Sequence, residues 1–384
     1  MNRIFGTIGA GLMAAALYGA SPGLKLDREI NLNAMIQDRD GLLPSTHSVQ
    51  ALAFSPDEKW IAVGVGLHYK PGTWQPMEFD SHVMIIPLAD GVGSVIRLDP
   101  DTRVAQGSLV WAPESNLLAV EGEKGFKCYA VPGGEAWKDW RPDTRLSLLI
   151  GFIDARHGLA YGSVEDRLQA KLAGAPLAVY SFDLAGQIAD VWNAPSRSAV
   201  VAVDPDRHLL AVAMDAGRSD VARPILRYPT MAVIQDWFHG KSFGAPVFAE
   251  SGKTVCGVGS YGRDSQHASC WDVDTGSKIA EFKEFSGGFP ASVSSGAARI
   301  VLTKVRMVRR ITEENDMHSF QDRVVWDFRA DKVIAEWVPV TQVTETGLKA
   351  PEEKRSEFGP SVISPSGRYI AEGTNGRLRI YVLP

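Results

Sequence analysis

The side chains of this chain that could do chemistry are scattered rather than grouped. Four histidines, His68, His82, His267 and His318, lie in or beside segments of irregular composition. With Asp80, Asp166, Asp220, Asp264 and Glu313 they supply groups from which a metal or acid–base site could be assembled. None of the short spacings such chemistry uses joins them. The sequence has no phosphate-cradling P-loop, no His-Glu-x-x-His helix and no Cys-x-x-Cys pair. A histidine without ligand spacing reads first as a solvated surface group, and only convergence from several parts of the fold would make it a ligand.

Three further groups carry two readings each. The basic run Arg306–Arg310, with Arg309 and Arg310 adjacent, can grip a phosphate or carboxylate, but Glu313, Glu314 and Asp316 follow at once and can neutralise it as a self-compensating surface loop. Tyr69, Trp74 and Phe79 fall in one insert beside His68 and Asp80. They suit a partner hot spot or a sugar-stacking platform, or else they fold back as a cap over the rest of the chain. Cys256 and Cys270 flank a hairpin centred near Arg263. Placed opposite each other they are either a disulfide made in an oxidising compartment or a pair of small buried thiols.

What must position these groups is a repeated hairpin. In Val49–Val65 an apolar run meets Ser55-Pro56-Asp57 and a second apolar run follows, a strand–turn–strand pattern. With Phe54 as anchor, the pattern recurs without gaps at Trp111, Phe152, Val203, Phe248, Val293 and Ile363. Seven residues on stand Ile61, Leu118, Leu159, Leu210, Val255, Ile300 and Ile370. The next column is small or nearly so: Ala62, Ala119, Ala160, Ala211, Cys256, Val301 and Ala371. The anchors lie 41 to 70 residues apart, and a four-stranded propeller blade needs about 40–45. Third and fourth strands follow each hairpin, except that the chain stops at Pro384 directly after the third strand of the seventh repeat. An open sheet edge there is a liability. The segment Leu24–Leu32 precedes the first repeat and is the strand expected to fill it. The expected fold is therefore all-β, a seven-bladed β-propeller closed by an N-terminal strand, with residues 1–20 as leader or anchor, 21–48 as closing strand and lead-in, and 49–384 as the propeller. The fourth-strand aromatics Trp140, Trp192, Trp237, Phe282 and Trp337 recur in register and read as packing between blades.

On these residues the chain resembles WD40-repeat proteins. His47 stands ahead of the first hairpin, and Trp271-Asp272 and Trp326-Asp327 fall where that family carries its Trp-Asp pair, at the end of the third strand. The blades are also similar to those of TolB-like and other bacterial propellers. The resemblance spans about residue 45 to the end and implies a seven-bladed propeller. Most copies lack the family's Gly-His pair and five lack Trp-Asp.

Of the 384 residues, 22% are charged and the net charge is −5, which argues against nonspecific nucleic-acid binding. At the N-terminus a single Arg3 precedes the apolar run from Ile4 to Ala20, and Ser21-Pro22-Gly23 ends it. That is the layout of a secretory signal peptide, with an uncleaved membrane anchor as its rival, so a periplasmic or secreted protein is expected. No Cys stands directly after the run, so a lipoprotein is not expected.

Strand parity assigns the two ends of a propeller. First-to-second turns are short in this chain. Second-to-third connections hold the inserts: Gly66–Ser81, Gly162–Ala175, Asp215–Pro224, Ser260–His267 and Lys304–Asp322. Long loops on a rigid scaffold are where binding residues gather. The expectation is a non-catalytic module that binds a protein or envelope component through His68, Tyr69, Trp74, Phe79, Asp80, Arg263, His267, Arg309, Arg310 and His318, with no cofactor. The alternative is a propeller hydrolase, lyase or lactonase at the central mouth of the same face.

Overall fold

A computed structural model of the chain describes residues 24–384 apart from 33, 36–46, 68–80, 90–92, 99–107, 123–124, 135–145, 163–168, 170–172, 174, 186, 195–197, 215–223, 237–245, 261–265, 286–291, 310–316, 338–358 and 375. Its strands form seven antiparallel sheets, six with four strands and one with three. Blade one is His47–Phe54, Trp60–Leu67, Ser81–Pro87 and Ile96–Leu98. Blade six is Ser292–Val293, Arg299–Arg309, Met317–Asp327 and Lys332–Trp337. The three-stranded sheet is blade two, and the segment expected as its fourth strand, Glu135–Trp140, lies outside the described residues. Blade seven takes its first three strands, Ser361–Ile363, Tyr369–Thr374 and Arg377–Val382, from the end of the chain and its outer strand, Lys25–Asn31, from the beginning. Glu29 ties the two ends, accepting from Arg377 Nη1 and Arg379 Nε at 2.8 Å each.

The core is a set of seven seams between neighbouring blades. Each seam holds one apolar cluster: Val49, Ile61 and Leu32 with Ala371 and Leu378 between blades seven and one, Ala62 and Ile85 with Leu118 and Val120 between one and two, and so on around the ring. The repeated columns explain the fit. In six blades the anchor pairs with the residue seven positions on, as in Phe54↔Ile61 and Ile363↔Ile370. The large column faces the preceding blade and the small column the following one. Ile61 therefore meets Ala371, Leu118 meets Ala62, Val255 meets Ala211 and Ile300 meets Cys256. Large against small lets two pleated sheets interdigitate at interior density. Of the fourth-strand aromatics, Trp192, Phe282 and Trp337 lie in seams, and Trp140 and Trp237 lie outside the described residues.

Blade three departs from the column pattern. Its turn is one residue shorter, so Phe152 pairs with Gly158 rather than Leu159. Leu159 is thereby turned to face blade four, and the large-residue position falls on Gly158. The Phe182 ring fills the space: a Cβ on Gly158 would lie 2.2 Å from its Cζ. Phe182 in turn packs on Phe126 and Phe152, with centroids 5.3 and 6.2 Å away.

Parts of three expected loops are strand instead. In blade six the register continues without interruption from Arg299↔Asp327 to Arg309↔Met317, so most of Lys304–Asp322 is a two-stranded ribbon. In blade five Ser260 pairs with Gln266 and Gly259 with His267, and in blade one Gly66 pairs with Ser81. The β-branched residues Ile300, Val301, Thr303, Val305 and Val308 support strand continuation where the sequence reading placed a loop. Cys256 and Cys270 are directly opposed in blade five with Cα atoms 4.1 Å apart, and are joined as a buried disulfide, whereas Cys128 is a buried free thiol whose pKa burial pushes up.

Gly158→Ala is expected to destabilise the chain by about 1–3 kcal/mol, the usual range for overpacking a filled core. The double variant Gly158→Ala/Phe182→Leu is expected to recover part of that loss beyond additivity. Denaturant unfolding of the four proteins checks this, and strict additivity would contradict the fit between Gly158 and Phe182.

Candidate functional site

The two ends of the propeller are built differently. At the first-to-second turns, side chains and backbone are committed to one another. Ser55 Oγ accepts from Trp60 N at 3.0 Å and donates to Asp57 Oδ1 at 2.7 Å, and Ser364 Oγ accepts from Tyr369 N at 3.2 Å. The residue four past the anchor is left-handed at Glu58, Ser115, Gly252 and Gly367, with φ of 58°, 60°, 74° and 73°. These turns also reach sideways. Asp57 N donates to Ser115 Oγ, Arg207 Nη1 to Gly252 O, Ser251 N to Ser295 O, Ser294 Oγ to Pro365 O, and Ser366 Oγ to Glu58 Oε2. The junctions one–two, four–five, five–six, six–seven and seven–one are stitched in this way. Gly252 is packed so closely on the buried Asp204 that a Cβ would lie 2.3 Å from its Oδ2. The Trp-Asp pairs are spent similarly. Asp272 Oδ1 accepts from Asp274 and Thr275 N, and Asp327 Oδ1 from Arg329 and Ala330 N, each closing the third-to-fourth turn.

Away from those turns, the seam between blades six and seven changes character. Nearest the turns it is apolar, with Val301, Val325, Ile363 and Ile370. Further along the strands comes a polar row. Thr303, Arg323 and Trp337 are cross-strand neighbours in blade six, and Ser361, Glu372, Arg379 and Glu29 are cross-strand neighbours in blade seven. Arg323 is 5% exposed, Ser361 2% and Glu372 1%. The Glu372 carboxyl accepts from Trp337 Nε1 at 3.4 Å and from Tyr381 Oη at 3.2 Å. Arg323 donates through Nη1 to Thr303 Oγ1 and through Nη2 to Gly359 O at 3.1 Å. Burial raises the pKa of Glu372 above its ordinary value, against the pull of Trp337, Tyr381, Arg379 and Arg323. Burial also lowers that of Arg323, opposed by the Glu372 charge. Ionisable groups held this far from water are unusual in an otherwise apolar seam.

The residues proposed from sequence are not the ones in this row. His68, Tyr69, Trp74, Phe79, Asp80, Arg263 and Arg310 lie outside the described residues. His267, Arg309 and His318 are strand residues, paired with Gly259, Met317 and Val308. His82 is half-buried in blade one opposite Val65. Among the described residues no three His, Cys, Asp or Glu side chains are grouped to hold a metal ion. The polar row had one legible signal. Nine positions past the anchor the other blades carry Val63, Val120, Tyr161, Val212, Gly257 and Leu302, and blade seven carries Glu372. A carboxylate in an apolar column marks a break in the packing rule.

No protein-family model matches this chain, and no curated protein matches it. Solved structures do. An oligogalacturonate lyase in complex with manganese is similar over 96% of this chain and 98% of its own, with a TM-score of 0.58 at 11% identity. The β-propeller domain of Myceliophteria thermophila Cps50 (Swd1) is similar over 94% and 100%, at 0.56 and 12%. The fold is that of a WD40-like seven-bladed β-propeller. A chain of the mitotic checkpoint complex is similar over 100% and 99%, with a TM-score of 0.55 at 15% identity. At such identities the similarity shows the fold alone, and this WD40-like propeller has both enzymatic and non-enzymatic structural neighbours.

A raised carboxyl pKa means that the folded chain holds the Glu372 proton more tightly than the unfolded chain does. The group's contribution is then fully present below the ordinary value of 4.5 and is lost as pH rises through the folded one. Glu372→Gln, which keeps the shape and removes the titration, is expected to match the parent protein near about pH 4 and to exceed it in stability near about pH 7. Melting temperature against pH checks this. A Gln variant weaker at neutral pH would show that Arg323 needs the ionised carboxylate.

Proposed function

We propose that this propeller is a non-catalytic protein-binding or scaffold module, exported from the cytoplasm, that engages its partner at the end away from the first-to-second turns. The observation that carries the reading is the ribbon of blade six. Its two strands pair through Arg309↔Met317, whereas their neighbours in the sheet cover them only at Ile300–Val301 and Arg323–Asp327. Beyond that point the outward backbone groups of Lys304–Arg309 and Met317–Asp322 have no strand partner among the described residues. Unpaired strand edges are templates for an added strand, a recurring way of binding extended peptide. The opposite end has its turn groups engaged between blades. Export is supported by the apolar N-terminal run and by the Cys256–Cys270 disulfide, a bond that persists in oxidising compartments. One structural neighbour is a chain of the mitotic checkpoint complex, a protein assembly, which makes a protein the natural class of ligand.

A variant in which residues 304–322 are replaced by Asn-Gly, joining Thr303 to Arg323 through a tight turn, tests the reading. It is expected to keep the parent's melting transition and lose at least about tenfold in partner recovery from envelope extracts, equivalent to about 1.4 kcal/mol of binding. Undiminished recovery of the same partner would overturn the assignment of this end.

A further inference from the structure

Three buried side-chain polar atoms have no hydrogen-bond partner among the described residues: Arg323 Nε, Ser361 Oγ and Arg379 Nη1. All three belong to the polar row between blades six and seven. The two arginine nitrogens can only donate, and the serine hydroxyl can donate as well as accept. A buried donor without an acceptor is costly, so three in one seam mark a missing acceptor. The acceptors already there are engaged. Glu29 takes Arg377 and Arg379 Nε, Thr303 and Gly359 take the two terminal nitrogens of Arg323, and Glu372 takes Trp337 and Tyr381. Arg323 is thus a buried guanidinium whose hydrogen bonds all go to neutral groups. Glu372 attracts it across the seam, but no hydrogen bond joins them, and burial drives that carboxyl towards its neutral form.

We propose that this part of the seam is an oxyanion-binding site, which takes one carboxylate or phosphate group between Arg323 and Arg379 with the Ser361 hydroxyl as a third donor. A guanidinium edge and a hydroxyl are the donors that planar and tetrahedral oxyanions accept from best. An anion there supplies Arg323 with the charged partner it lacks. The inference does not depend on the ribbon of blade six binding a protein, because every residue it uses lies inside the sheet stack.

The test titrates the full chain with inorganic phosphate and, separately, with acetate, against chloride at matched ionic strength, following the melting temperature. Phosphate or acetate is expected to stabilise the parent protein saturably and chloride is not. A response to phosphate alone assigns a phosphate ligand, and a response to acetate alone assigns a carboxylate. Ser361→Ala is expected to weaken the apparent affinity roughly tenfold, as loss of one charge-assisted hydrogen bond does. Arg323→Lys, which keeps the charge and removes the Nε donor, is expected to abolish saturation. Should the lysine variant fail to fold, Ser361→Ala decides alone. The same response in Ser361→Ala as in the parent, or no saturable response in the parent, overturns the site and leaves buried water as the missing acceptor.

Discussion

Neighbouring sheets in this propeller can approach only if the large side chains of one face meet small ones on the other. That constraint runs through the whole chain. It explains why each second strand begins with a large apolar residue followed by alanine, cysteine or valine, and why the large residue turns to the preceding blade. It also explains the exception. When the blade-three turn loses a residue, Leu159 and Ala160 exchange faces, and Phe182 reaches over Gly158 to restore the lost volume. Each blade leans on both neighbours, so closing the ring leaves no sheet face or long edge bare. Closure joins Lys25–Asn31 to the last strand of the chain and sets Leu32 in the seam with blade one.

With the faces of the blades committed to each other, the ends of the disc are left to differ. The first-to-second turns use their serines, aspartates and left-handed residues to bond across the blade junctions, which makes that rim part of the scaffold. The other direction is where blade six extends its ribbon and where the seam between blades six and seven turns from apolar to charged. Buried Arg323 and Glu372 weaken that seam relative to an apolar one. Their retention is understandable if the polar row serves a ligand rather than the ring.

Much of the architecture was legible because it is repeated. Seven copies of one hairpin report the anchor, the large column and the small column redundantly, so blade number and the role of Ser55-Pro56-Asp57 follow from residue types alone. The misreadings occurred where repetition stops. A turn one residue short in blade three is invisible to an ungapped comparison that still finds Leu159 and Ala160 in the expected columns. Lys304–Asp322 reads as a loop because its charges mask strand-forming residues whose role only pairing between the two arms makes evident. The polar row escaped because Arg323 and Glu372 are 49 positions apart in the chain and belong to different blades. Only the single charge in an apolar column betrays it. Side-chain convergence across a seam is a property of the ring, and no local pattern encodes it.

The division of labour between the two rims can be read by site-specific photocrosslinking in the expressing cell. A crosslinking residue is placed in turn at Lys59 and Lys253 on the turn rim, and at Met307 and Ser319 on the ribbon. The ribbon positions are predicted to yield a discrete adduct with a partner protein, and the turn positions none. Adducts from Lys59 or Lys253, with none from the ribbon, would contradict the account.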